Sequence, residues 1–161
     1  MELITSKLIQ LYQGEQFDDR AQWHAGNGPV RYLDAIERLQ YRIRIAGGLL
    51  WDVTGTQLDT SNGGLGSDAM GHAIYVLDAM GNLYCSGVHQ YYRFHHSSFV
   101  AGAPVACAGE IDVLSGMLIY LNNRSGHYLP STLQLRQFCE YLRSMGIECP
   151  DVENFDGDFQ S

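Results

Sequence analysis

The sequence predicts an α+β fold: a mostly antiparallel sheet built from successive β-hairpins, with an N-terminal helix and a C-terminal amphipathic helix. Three observations lead there. Gly-containing turns recur between β-leaning apolar segments. Helical spacing of apolar residues appears in a stretch after Pro29 and most clearly in another after Ser131. The chain has 161 residues, 45% hydrophobic and 17% charged, enough for one core and short for two.

The elements follow in order. Leu3, Ile4, Leu8, Ile9 and Leu11 could line one face of a short helix, and a polar stretch runs from Gln13 to Gly28. Pro29 suits a first helical turn, where its missing N–H is not needed. Val30, Leu33, Ile36 and Leu39 then recur at threefold spacing, predicting an amphipathic helix up to about Tyr41. Arg42-Ile43-Arg44-Ile45 alternates, and Leu49 to Val53 continues as β-leaning sequence.

Three hairpins are expected: Leu49 to Thr60 turning at Asp52–Gly55, Ala73 to Ser86 turning at Asp78–Asn82, and Glu110 to Asn122 turning at Leu114–Gly116. Ser61 to Asp68 reads as a flexible loop. Its Gly63-Gly64-Leu65-Gly66 run lacks the following helix that a nucleotide fingerprint requires. Ser131 and Gln134 make a capping box, Leu135, Phe138, Leu142 and Met145 share a face, Gly146 stops the helix, and Ile147 packs back. The tail from Glu148 to Ser161 has five acids and no base, the pattern of a solvated, frayed end. The expected organisation is a segment 1–28, one α+β domain over 29–147, and an acidic tail 148–161.

Charge and composition exclude several classes. A net charge of -8 argues against coating nucleic acid, and no apolar run approaches the roughly 20 residues of a membrane helix. The start has no basic n-region, so no cleaved signal peptide is expected, and the working compartment reads as the cytoplasm, the cell's own or that of a target. Cys85, Cys107, Cys139 and Cys149 are far apart with no C-x-x-C pair, so they read as reduced packing residues.

The residues able to do chemistry concentrate in one window. It holds His95, His96, Ser97 and Ser98, then Glu110, then His127 and Tyr128. Imidazoles titrate near neutrality and pass protons, and a carboxylate can orient or polarise a partner. The bland reading is that these groups satisfy backbone ends around Gly-rich connections. Zinc held by His95, His96 and His127 is disfavoured because adjacent histidines seldom bind one ion, so no metal is expected. Leu39 to Arg44 matches half of a calmodulin-binding IQ motif, but Ile45 stands in place of the usual Gly and no base follows. Calmodulin binding through it is therefore doubtful.

Two blocks then carry a family likeness: His95-His96-Ser97-Ser98-Phe99-Val100-Ala101-Gly102, and Ser125-Gly126-His127-Tyr128-Leu129-Pro130, with Ala-Gly-Glu at 108–110 between them. The chain from about Val30 to Ile147 resembles the core shared by plant IQ-motif-containing calmodulin-binding proteins and bacterial Rhs-like or effector C-terminal toxin domains. The bacterial likeness implies an effector or toxin enzyme, an ADP-ribosyltransferase-like transferase acting on a macromolecular, protein target with NAD as cofactor. Under that reading His95, His96, Ser97, Glu110 and His127 are catalytic, and Ser98 and Tyr128 face the cofactor. Glu110 would stabilise a developing positive charge. A metal-independent nuclease is a sister possibility that the negative charge disfavours. The alternative is a non-catalytic protein-binding module related to the plant proteins.

Overall fold

The structure is a computed structural model and describes residues 2–17, 30–61, 72–87 and 94–156. Its strands are β1 (Arg42–Ala46), β2 (Leu49–Trp51), β3 (Ala73–Asp78), β4 (Leu83–Ser86), β5 (Val105–Leu114), β6 (Met117–Asn122) and β7 (Val152–Glu153). The helices are α1 (Ala35–Arg38), α2 (His96–Val100) and α3 (Thr132–Ser144). The seven strands form one sheet in the order β2-β1-β4-β3-β5-β6-β7, antiparallel except for the parallel pair β6–β7. The expected α+β class is the observed one. Among the described residues no helix is long and apolar enough to cross a membrane.

The second and third hairpins form where their turn chemistry placed them, with β3 pairing β4 and β5 pairing β6. The first hairpin is displaced. β2 pairs backwards with β1 across Gly47-Gly48, whose φ of +62° and +76° suit glycine. The Asp52 turn also exists, because Asp52 Oδ1 accepts from the amides of Thr54 and Thr56. The return from that turn makes only the Trp51–Gln57 bridge. The Leu58–Thr60 segment instead crosses to the far side: Thr60 donates to Val113 O (2.7 Å), and Gly116 donates to Leu58 O (2.8 Å). Leu50 donates to Gly116 O (2.9 Å), so the sheet curls until β2 meets the β5–β6 turn.

The N-terminal helix is shorter than its spacing suggested. Val30 and Leu33 are buried in chain without regular secondary structure, their amides donating to Glu15 O and Ser98 O. Helix starts only at Ala35, where Asp34 and Glu37 form a capping box. Ile36 and Leu39, expected on the core face, are 76% and 54% exposed. A 3-10 turn at Leu39–Tyr41 then hands over to β1. The expected helix at Leu3–Leu11 is also absent. Ser6 exchanges both backbone hydrogen bonds with Val105, Ile9 donates to His127 O, and only Gln10–Tyr12 makes a 3-10 turn. Tertiary partners for those amides outcompete a local helix.

One face of the sheet is covered by α3, which seats Leu135, Phe138, Cys139 and Leu142 against Tyr75, Leu77 and Ile111. Burying Phe138 and Leu142 contributes about 1.5–3 kcal/mol each. The capping box at Ser131 and Gln134 forms as expected, and Ile147 packs into this core. Met145 stays 43% exposed at the helix end. The opposite face is covered by α2 and by the N-terminal and pre-α1 segments, joining Leu8, Leu33, Phe94, Phe99 and Tyr128 to Ile74 and Val76.

The tail is not frayed over its described part. β7 pairs with β6, Phe155 donates to Asn123 Oδ1 (2.7 Å), and Asp156 accepts from Thr132 N and Oγ1 at the start of α3. Pro29, the Gly63–Gly66 run and Asp158 lie outside the described residues.

Candidate functional site

The polar centre of the molecule is Glu15, which is fully buried. It reaches the interior because the N-terminal segment is laid along β5 by the Ser6–Val105 pair and then along the loop after β6 by the Ile9–His127 bond. Ser97 Oγ donates to Glu15 Oε1 (2.6 Å), Tyr32 OH donates to the same oxygen (2.9 Å), and His127 Nε2 donates to Oε2 (2.8 Å). Three donors converge on one carboxylate from α2, from the segment before α1, and from the turn between β6 and α3. The His127 ring also stacks on Tyr12 (centroids 3.8 Å, 14°) and on His95 (4.5 Å, 27°).

Burial alone would push the Glu15 carboxyl upward. The hydrogen bond and charge of His127, with the hydroxyls of Ser97 and Tyr32, outweigh it and hold the carboxyl below its ordinary value. The same carboxylate and the same burial push the Tyr32 phenol well up, burial being the larger cause. The cluster is thus an ionised acid with neutral hydroxyl donors.

α2 is built to aim Ser97 inward. Ser98 Oγ accepts from His95 N (2.9 Å), a helix-start bond, and Ala101 takes the left-handed conformation that ends the turn. Ser97, Ser98 and Phe99 are consequently sealed, each with no exposed surface. His96 turns toward β5 and donates from Nε2 to Gly109 O (2.8 Å). Gly109 is required there, since a Cβ would lie 2.1 Å from Asn122 O. Glu110, next on β5, accepts from Asn122 Nδ2 (3.0 Å), while its amide donates to Asn122 Oδ1 (2.8 Å). Tyr128 is buried, and its hydroxyl donates to Ala103 O (2.8 Å).

The residues singled out from the sequence therefore divide. His95, Ser97 and His127 come together, with Glu15 as their common partner. His96 and Glu110 are engaged with Gly109 and Asn122 on β5 and β6, and Ser98 and Tyr128 are engaged with backbone. Ser97 bonds the carboxylate and not the imidazole, so the trio lacks the nucleophile–base contact of a Ser-His-acid relay. Among the described residues no three of His, Cys, Asp and Glu are grouped as metal ligands.

Sequence reasoning missed Glu15, Tyr12, Tyr32 and Asn122. Glu15 lay in a polar stretch with nothing local to mark it. A further polar strip lies on the same sheet face: His72 Nδ1 meets Asp112 (2.8 Å), its ring stacks on Tyr120, and Tyr120 OH donates to Glu153 Oε1 (2.6 Å).

The half-match to an IQ motif is likewise fixed by the fold. Leu39–Tyr41 is a 3-10 turn and Arg42–Arg44 is strand, paired with β2 and β4. Engagement as an amphipathic helix laid in a groove is therefore not open to this segment as folded.

The sequence profile for the IQ motif-containing protein middle domain matches residues 37–135. The chain is 36% identical over 125 residues to the Arabidopsis thaliana IQ domain-containing protein IQM3, covering 77% of this chain and 26% of that protein. It is 32% identical to IQM5 and 31% to IQM2 of the same plant, each over 125 residues and 77% of this chain, covering 24% and 20% of those proteins. The chain thus spans a quarter or less of the length of some of the curated relatives it matches. No solved structure matches it. These findings correct one expectation. The similarity is to plant IQ domain-containing proteins, and the reading as a bacterial effector, toxin or ADP-ribosyltransferase-like transferase is overturned. With that profile covering most of the folded region, the chain belongs to the family of IQ motif-containing protein middle domains.

Proposed function

We propose that this chain is a non-catalytic protein-binding module. The observation that carries the reading is the closure of its polar residues on one another. Glu15 binds Ser97, Tyr32 and His127 inside the molecule, and His96 is spent on the Gly109 carbonyl. These bonds tie four separate parts of the chain to the sheet. They account for the Ala-Gly-Glu and Ser-Gly-His-Tyr blocks as elements of architecture.

A surface that fits the reading is the basic strip Arg38, Arg42 and Arg44. In a chain with ten Lys and Arg against eighteen acids, three bases fall within seven positions. Arg42 and Arg44 are exposed on the same side of β1, and Arg38 and Arg42 both lie close enough to Tyr84 to act on its phenol electrostatically. Such a strip suits an acidic protein partner, for association and its rate more than for raw affinity. Contact would be made with the folded strand, not through a free helix.

Isothermal titration tests this with purified calmodulin as the acidic probe and NAD as the control. The expected result is heat with calmodulin, weakened at least tenfold in Arg42→Glu/Arg44→Glu at unchanged melting temperature, and silence with NAD. Saturable NAD binding with turnover, or calmodulin binding indifferent to the charge reversal, would overturn it.

A further inference from the structure

The β1–β2 hairpin separates its residues between two faces. Residues directly opposite one another in a sheet share a face, and the register sets Arg44 opposite Trp51 and Arg42 opposite Tyr84. Ile43, Ile45 and Leu50 point the other way, into the core beneath α3. Arg42 and Arg44 are exposed, and Trp51 is half-buried. The Trp51 indole N–H donates to Ala46 O (2.9 Å). That bond ties the polar edge of the ring to the hairpin and leaves the rest as an apolar platform on the arginine face.

Charge says what such a face can hold. From Arg38 to Trp51 the chain carries three arginines and no acid. Among the described residues Arg42 and Arg44 enter no ion pair. Asp52, next to Trp51, and Asp78, which acts on the Tyr84 phenol, have their carboxylates tied into turns by backbone amides. The groups that would satisfy both guanidinium ions are therefore those of another molecule.

The backbone says in what form they arrive. Leu50 N donates to Gly116 O, and Leu50 O accepts from Leu58 N, so the outward groups at the centre of β2 are taken. An extended peptide draws its affinity from main-chain bonds to a free strand edge, which this hairpin does not offer. A helix satisfies its own backbone and needs only a face.

We propose that the Arg42–Arg44–Trp51 face docks an acidic amphipathic helix of a partner protein. The proposal rests on the reading of the chain as a protein-binding module and names the form of its partner. Two residues along β1 separate Arg42 from Arg44 by about 6.6 Å, and four residues along a helix rise about 6 Å. Carboxylates four positions apart on the partner thus meet the two guanidinium groups in register, each able to take a forked pair of hydrogen bonds. An apolar side chain beside them covers the Trp51 ring, tryptophan and arginine being the residue types that anchor interfaces.

The test titrates the full chain with two synthetic helical peptides of about 20 residues, long enough to hold helix alone. They share one composition of alanine, leucine and glutamate and are matched in helicity by circular dichroism. In one the glutamates stand four apart beside the leucines. In the other they stand two apart, on opposite sides of the helix. The first should bind about tenfold more tightly than the second and weaken as salt is added. Arg42→Gln/Arg44→Gln should abolish the difference. Binding should shift the tryptophan emission, and of the chain's two tryptophans the shift should survive Trp23→Phe and vanish in Trp51→Phe. Equal affinities, binding of neither peptide, or an emission shift that is absent or survives Trp51→Phe would overturn the docked helix. The module reading fails separately, through the calmodulin titration.

Discussion

Replacing Glu15 by Ala should be among the most damaging single changes in the chain. The substitution leaves three interior donors, Ser97 Oγ–H, Tyr32 O–H and His127 Nε2–H, without their acceptor. Removing one partner of a buried pair costs about 3–5 kcal/mol. Counting the stranded donors separately at about 1–3 kcal/mol each gives a larger sum, which rotation of the two hydroxyls reduces to the same range. For a chain of this length that is about 6–20 °C in melting temperature. Glu15→Gln keeps an acceptor for Ser97 and Tyr32 but turns an amide N–H toward His127, so it should lose roughly half as much.

Thermal unfolding followed by circular dichroism measures both variants, and a double-mutant cycle with His127→Ala isolates the pair. Because the residues touch, the cycle should show a coupling of about 1–3 kcal/mol. A shift below about 2 °C for Glu15→Ala, or strict additivity with His127→Ala, would mean the carboxylate does not hold the molecule together as described.

Other expectations rest on separate contacts. Gly109→Ala places a methyl against the Asn122 backbone and should cost about 3 kcal/mol, with denaturant titration as the readout. Folding lowers the Glu15 carboxyl, so its contribution is complete above the unfolded value of 4.5 and is lost as pH falls through the folded value. Melting temperatures below pH 4.5 should therefore fall more steeply for the wild type than for Glu15→Gln. Tyr75→Phe removes the hydroxyl that donates to Asn122 O (2.7 Å) and should destabilise by about 1–3 kcal/mol in the same titration. Ser131→Ala removes the cap of α3 and should cost about 1 kcal/mol, visible as a small shift of the unfolding midpoint.

What was legible in the sequence was what is decided locally. α3 announces itself because its cap, apolar face and stop residue all lie within sixteen positions. The hairpins at Asp78–Asn82 and Leu114–Gly116 were equally plain, since a glycine with φ near +85° closes each. The first hairpin was harder. Two turns with sound chemistry lie five residues apart, and only the pairing partners of β2 decide that Gly47-Gly48 is the hairpin. The threefold spacing from Val30 to Leu39 misled because Val30 and Leu33 are buried ahead of the helix, which starts only at Ala35.

The site divided along the same line. The His95–Phe99 and Ser125–Pro130 blocks stood out as unusual, and they do converge. Their acid was assigned to Glu110, the carboxylate between them in the chain. The structure supplies Glu15 instead, 82 residues from Ser97 and 112 from His127. Nothing in one sequence marks a partner at that separation. A block of His and Ser in a turn reads alike whether it meets a substrate or a buried acid, so the sequence shows the block and not the carboxylate that Ser97 and His127 bond.

The curl of the sheet bears on how this chain behaves in a crowded solution. Strands at the rim of an open sheet offer rows of backbone amides on which another molecule can template, the route to fibrils and swapped dimers. Here the amides of Leu50 and Leu58 are taken up at the β2 rim, and at the other end only the two-residue strand β7, with Glu153 on it, forms the margin. A sheet with one margin closed and the other cut to two residues, one of them charged, resists self-association through its backbone and leaves its side chains to choose its company.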